Sequence, residues 1–124
     1  MKIAIFVNLT KKDAAFYTKQ IIERILSLQA IVIFPEDLRS VFPELQVVFV
    51  KREHLFLECD AVIAVGGDGT IIRCAKEAAQ WGKPVLGINV GRLGFVAGLE
   101  TDELDRLVDL VDGHYKIEER MMLE

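Results

Sequence analysis

The chain has 124 residues, 52% of them hydrophobic and 27% charged, with a formal net charge of −4. That length allows one domain with a real core and is too short for two ordinary ones; the acidic balance argues against nucleic acid as a partner, and no apolar run approaches a membrane span. Two cysteines, Cys59 and Cys74, without a Cys-x-x-Cys spacing, and two distant histidines, His54 and His114, argue against a disulfide scaffold or a structural metal cluster and suit a reducing, cytoplasmic compartment.

Lys2 to Val7 is an apolar, β-branched run that opens on the one basic residue, Lys2, and stops at Asn8, which reads as a first buried strand and not as a signal peptide. Thr10 then offers a helix cap with Asp13 three residues on, and Tyr17, Ile21, Ile22, Ile25 and Leu28 follow at helical spacing. Ile31 to Phe34 is a short strand closed by Pro35. Leu38 to Leu45 is expected as a short helix interrupted at Pro43, and Gln46 to Val50 as a strand at a sheet edge. Asp60 to Val65 is a buried strand that enters Gly66-Gly67-Asp68-Gly69-Thr70. Thr70 to Trp81 is expected as a helix, with Ile71, Ile72, Ala75, Ala78 and Ala79 on its inner face and Gly82 ending it. Lys83 to Ile88 is the next strand, followed by a second glycine-spaced loop, Asn89 to Phe95. Thr101 caps a last expected helix, which Gly113 stops, and His114 to Leu123 reads as a strand.

Strands that alternate with helices imply right-handed crossovers and a doubly wound α/β fold: a mostly parallel sheet with helices on both faces. In such sheets ligands lie beyond the carboxyl ends of the strands. Both glycine loops fall at that end if their strands run parallel, so they are expected to face one crevice. There is no Gly-x-Gly-x-x-Gly after a strand and no Gly-x-x-x-x-Gly-Lys-Ser/Thr. The chemistry therefore rests on the Gly-Gly-Asp-Gly-Thr loop.

Gly66, Gly67 and Gly69 permit positive φ and remove side chains that would keep a phosphate from main-chain N–H groups, and the helix that follows adds its positive dipole end. A carboxylate at such a place repels a polyphosphate unless it holds a magnesium ion or accepts a proton from an attacking hydroxyl. The plainer alternative is a tight strand-to-helix turn with Asp68 or Thr70 as cap. Charge supports the anion reading. Residues 66 to 92 carry four basic side chains (Arg73, Lys76, Lys83, Arg92) against two acidic ones (Asp68, Glu77), while residues 100 to 124 carry three against nine.

Taken in order, Gly66-Gly67-Asp68-Gly69-Thr70, then Pro84-Val85-Leu86-Gly87-Ile88-Asn89-Val90-Gly91-Arg92-Leu93-Gly94-Phe95, then Glu118-Glu119-Arg120-Met121-Met122-Leu123 resemble the NAD kinase family. Those enzymes phosphorylate the 2′-hydroxyl of the adenosine ribose of NAD to give NADP. The first segment is shared with diacylglycerol- and sphingosine-type lipid kinases; the second resembles NAD kinase far more than those relatives. The resemblance implies a Rossmann-like N-terminal domain, Mg2+ as cofactor, and ATP or polyphosphate as donor. It implies Asp68 as the proton acceptor and a nucleotide site drawn from Gly66, Gly67, Gly69, Thr70, Arg73, Asn89, Gly91, Arg92 and Phe95. Arg73 and Arg92 are equally readable as solvated charges, and Phe95 is also readable as ordinary core. The metal ligands are left open.

The family's second signature, an Asn-Glu or Asn-Asp pair, belongs to a β-rich domain that follows the Glu-Arg segment, and this chain ends at Glu124. The expectation is a single α/β domain over residues 1–124 that lacks the β-rich one. Alone it is expected to have little or no kinase activity; the intact enzyme is expected to be a homo-oligomer. Two other functions compete: a non-catalytic nucleotide-binding module, and a lipid kinase of the diacylglycerol type.

Overall fold

Residues 1–10 and 14–90 are described in the computed structural model of the chain. The five apolar runs become five strands: β1 (Lys2–Val7), β2 (Ile31–Pro35), β3 (Val48–Val50), β4 (Ala61–Gly66) and β5 (Val85–Asn89). They pair in the order β3-β2-β1-β4-β5, and every pairing is parallel. Two helices connect them, α1 (Ala14–Ser27) between β1 and β2, and α2 (Asp68–Gln80) between β4 and β5.

Covering both faces explains the continuous hydrophobicity of the strands, since a parallel sheet buried on two sides has no solvent face to mark with polar residues. Every residue of β4 is buried. On one face Tyr17, Ile21, Ile22 and Ile25 of α1 pack with Ile3, Ile5, Val7, Ile63, Val65 and Ile88. On the other, Ile71, Cys74 and Ala78 of α2 pack with Ala4, Ile33, Val62, Ala64 and Val85, joined by Leu55, Phe56 and Cys59 from the β3–β4 connection. The two helices thus take opposite faces, as a doubly wound sheet requires.

Four local expectations change. Residues 38–45 form no α-helix; a 3-10 turn over Glu36–Leu38 leads into bends instead. Pro43 removes one N–H, and an eight-residue segment has too few bonds left to offset helix nucleation. The third strand starts at Val48, two residues later than expected, and sits at the sheet edge. In α2 the buried stripe is Thr70, Ile71, Cys74, Ala75 and Ala78; Ile72 and Ala79 face solvent. At about 100° per residue, a stripe centred on 71, 75 and 78 turns its +1 neighbours outward. Finally, Gly82 alone among the described glycines has positive φ, at 67°, where it ends α2. The glycines before α2 serve another purpose. The segment from Gly91 onward, with the expected helix from Thr101 and the strand from His114, lies outside the described residues, as does Asp13.

Candidate functional site

A crevice arises where the chain leaves β1 toward β2 on one side and returns to β4 on the other, and ligands of doubly wound sheets bind at this switch point. With all strands parallel, the carboxyl ends of β1, β4 and β5 lie side by side, and β4 is the middle one of the three. The Gly-Gly-Asp-Gly-Thr segment leaves the middle strand.

Gly66 ends β4 and is buried. A Cβ there would lie 2.8 Å from the Thr70 Cβ and 2.9 Å from its Oγ1, so only glycine lets the first turn of α2 fold back onto its own strand. Gly67 is the N-cap, with φ −91° and ψ −176°, and no side chain caps the helix. The N–H groups at this helix start are therefore not taken by a capping side chain, and they carry the positive end of the helix dipole. Asp68 is the first residue of α2 and is exposed. Gly69 is also exposed, and among the described residues nothing would lie within 4 Å of a Cβ on it. The fold needs glycine at 66; the described residues make no such demand at 69.

Two asparagines flank this loop. In β1, Ile3, Ile5 and Val7 point to the α1 face, so Asn8, at the end of that strand, falls on the α2 face by alternation. Its Nδ2 donates to Thr70 Oγ1 at 3.3 Å, while its Oδ1 accepts from the Thr10 N–H at 3.0 Å and the Thr10 hydroxyl at 2.5 Å. In β5, Ile88 points to the α1 face and Asn89 to the α2 face, where its Nδ2 donates to Asp68 Oδ1 at 2.5 Å. Gly87, two residues back on the same face, makes room for α2: a Cβ there would meet Ile71 Cγ2 at 2.7 Å.

The predicted residues Gly66, Gly67, Asp68, Gly69, Thr70 and Asn89 are thus gathered at one strand end. Arg73 is turned aside. Its guanidinium stands over the Phe6 ring at 5.9 Å, in a groove of about 560 Å³ along the flank of α2 that Arg52, Phe56, Glu77 and Trp81 also line. Gly91, Arg92 and Phe95 lie outside the described residues. Sequence reasoning missed Asn8, although a polar residue directly after a buried strand that borders the switch point was a usable mark. Both cysteines are free and buried. Burial pushes the Cys59 thiol up to about 11 and the Cys74 thiol, on the inner face of α2, higher still, so neither offers a thiolate nucleophile. Among the described residues no three His, Cys, Asp or Glu side chains gather as a metal site, and no helix is long and apolar enough to cross a membrane.

Known proteins share this sequence and fold. A family profile described as the ATP-NAD kinase N-terminal domain matches residues 3–115. The NAD kinase of Desulforamulus reducens is 36% identical over 123 residues, which cover 98% of this chain and 42% of that protein. The NAD kinase of Azotobacter vinelandii is 39% identical over 94 residues, 75% of this chain and 32% of the relative. Among solved structures, yeast NADH kinase complexed with NADH is similar with a TM-score of 0.71 and 15% identity, over 92% of this chain and 38% of that one. At such identity the likeness speaks for the fold. The chain spans less than half the length of these relatives.

Proposed function

Because the chain belongs to the NAD kinase family, matching its N-terminal domain, we propose that it carries the acceptor-activating part of an enzyme that moves the terminal phosphoryl group of ATP, or of polyphosphate, to the 2′-hydroxyl of the adenosine ribose of NAD. The observation that carries this reading is a single exposed carboxylate, Asp68, placed at an uncapped helix start and held by a strand-end amide.

Phosphoryl transfer asks the protein mainly for positioning and for charge stabilisation. Asp68 orients the ribose hydroxyl and accepts its proton as the oxygen attacks phosphorus. The N–H groups at the start of α2, and the open space beside Gly69, take the phosphate oxygens. The residues fit Mg2+ bound chiefly through the donor's phosphates, since that ion commonly keeps one or two carboxylates plus substrate phosphates and waters, and Asp68 is the carboxylate at hand. When bound, the ion neutralises phosphate charge. Arg92 and Phe95 complete the proposed nucleotide contacts with Gly91, while Arg73, turned toward Phe6, is left outside them. The enzyme is taken to be cytoplasmic and homo-oligomeric when whole, with NAD and ATP as its small-molecule partners.

A chain that spans 42% of a relative's length brings part of the site. The 124 residues alone are therefore expected to form little or no NADP. Coupled NADP formation tests this on the chain and on the full-length protein that carries it. Turnover by the chain near that of an intact family member defeats the domain reading. In the full-length protein, Asp68→Ala should cut turnover to a small residual rate and leave NAD binding nearly intact; equal loss of both points to a structural or metal-holding role instead.

A further inference from the structure

An exposed carboxylate on the first residue of a helix has several low-energy orientations, and the helix dipole favours those that fold it back toward the N–H groups of its own first turn. A proton acceptor needs one orientation. Gly67, the cap, has no side chain with which to supply it.

Asn89 is better placed. Its backbone belongs to the β4–β5 ladder, in register with Gly66, and the next residue, Val90, donates its N–H to the Gly66 carbonyl at 3.0 Å. The base of the side chain is thus fixed on a rigid strand against the residue that begins the loop. A site supported from a strand is held more closely than one supported from a loop. Its Nδ2 then reaches Asp68 Oδ1 from the neighbouring strand, 21 residues away in sequence. Gly87 sets the distance: without a side chain between them, Ile71 lies against β5, and the first turn of α2 is brought to the strand end where Asn89 stands. On the other side of β4, Asn8 does the corresponding work on Thr70.

We infer that Asn89 is a positioning residue that acts through Asp68: its carboxamide holds one carboxylate oxygen so that the carboxyl group meets the acceptor hydroxyl in a productive orientation. This rests on the kinase reading above. It differs from a direct contact between Asn89 and the dinucleotide, because the bond from the amide goes to the carboxylate and acts on turnover. Only a donor serves. A carboxylate at 89 has the same shape and repels Asp68, whereas a methyl group removes this hydrogen bond.

The experiment compares Asn89→Ala and Asn89→Asp with the wild type in the full-length protein that carries residues 1–124, reading kcat and KM for NAD, NAD affinity by calorimetry, and the melting temperature. Misplacement of a catalytic group by about an ångström costs on the order of 100-fold in rate. Asn89→Ala should lower kcat by about 10- to 100-fold at near-constant NAD affinity, and Asn89→Asp should lower it further. In an Asp68→Ala background, Asn89→Ala should cost nothing more, since both changes remove one function. The inference is overturned if NAD affinity falls in step with turnover, if Asn89→Asp retains wild-type kcat, or if the two changes multiply. A wild type that forms no NADP removes the kinase reading together with this one; a wild type that forms it while Asn89→Ala changes only KM removes this one alone. Should Asn89→Ala fail to fold, the isosteric Asn89→Asp still decides the matter.

Discussion

The two glycines around Asp68 should respond to alanine with opposite signs. At Gly69 a Cβ meets nothing within 4 Å among the described residues, and the position lies in the first turn of α2 without positive φ. Alanine there loses less backbone freedom on folding, which is worth about 0.4–1 kcal/mol where the conformation is compatible. For a domain of this size that raises Tm by roughly 2–5 °C. At Gly66 the added methyl lies 2.8 Å from the Thr70 Cβ, a β-branched atom close to the backbone that cannot swing away. Overpacking of this kind costs about 1–3 kcal/mol, so Gly66→Ala should lower Tm by at least several degrees. Thermal and denaturant melts of the three proteins read the difference. In the full-length protein, Gly69→Ala should be at least as stable as wild type and should bind nucleotide more weakly, because no described residue demands glycine at 69 and the proposed site puts phosphate oxygens beside it. Stability and function then move in opposite directions. A destabilised Gly69→Ala, or one with unchanged nucleotide affinity, refutes the reasoning.

Three further outcomes are expected. Thr18 is buried in α1 and its Oγ1 has no hydrogen-bond partner among the described residues; Thr18→Val keeps the shape, removes the unsatisfied hydroxyl, and should raise stability by about 1 kcal/mol in a denaturant titration. Cys59 and Cys74 should resist an aromatic disulfide reagent at pH 8 in the native protein and react stoichiometrically once unfolded, because burial raises both thiols; fast native labelling contradicts the packing of α2. The Arg52 guanidinium holds the Asp37 carboxyl below its ordinary value through a 2.8 Å bond. A lowered folded value adds stability above the unfolded Asp pKa of about 3.9 and loses it as pH falls through the folded one. Both side chains are about half exposed, so Arg52→Ala should cost less than about 1 kcal/mol at pH 7 and nothing near pH 2.

Much of this protein is legible in its sequence. The apolar runs at Lys2 to Val7, Ile31 to Phe34, Asp60 to Val65 and Lys83 to Ile88 became strands with shifts of one or two residues at their ends, because a strand buried on both faces leaves an unbroken hydrophobic mark. Alternation with helical spacing implied the parallel, doubly wound sheet, and the loop after Val65 stood out because glycines around an Asp are hard to justify as a turn alone. The helix expected over Leu38 to Leu45 did not form, since the order of that stretch depends on packing that only the finished sheet provides; the edge strand expected over Gln46 to Val50 did form, starting two residues late. The face of α2 was off by one residue for a similar reason: Ile72 and Ala79 are apolar enough for the core, and the sheet's position decided which stripe was buried.

The site divides along the same line. Composition and spacing alone determined that an acid sits among glycines at a strand-to-helix junction. That Gly66 answers to packing was decided by the space around its Cβ, which Thr70 fills; at Gly69 the described residues make no such demand. The partners of Asp68 and Thr70 were decided by strand order: Asn8 and Asn89 are far from the loop along the chain and meet it only because β1 and β5 lie on either side of β4. Hydrogen bonds of that range depend on topology, which no local pattern of residues records.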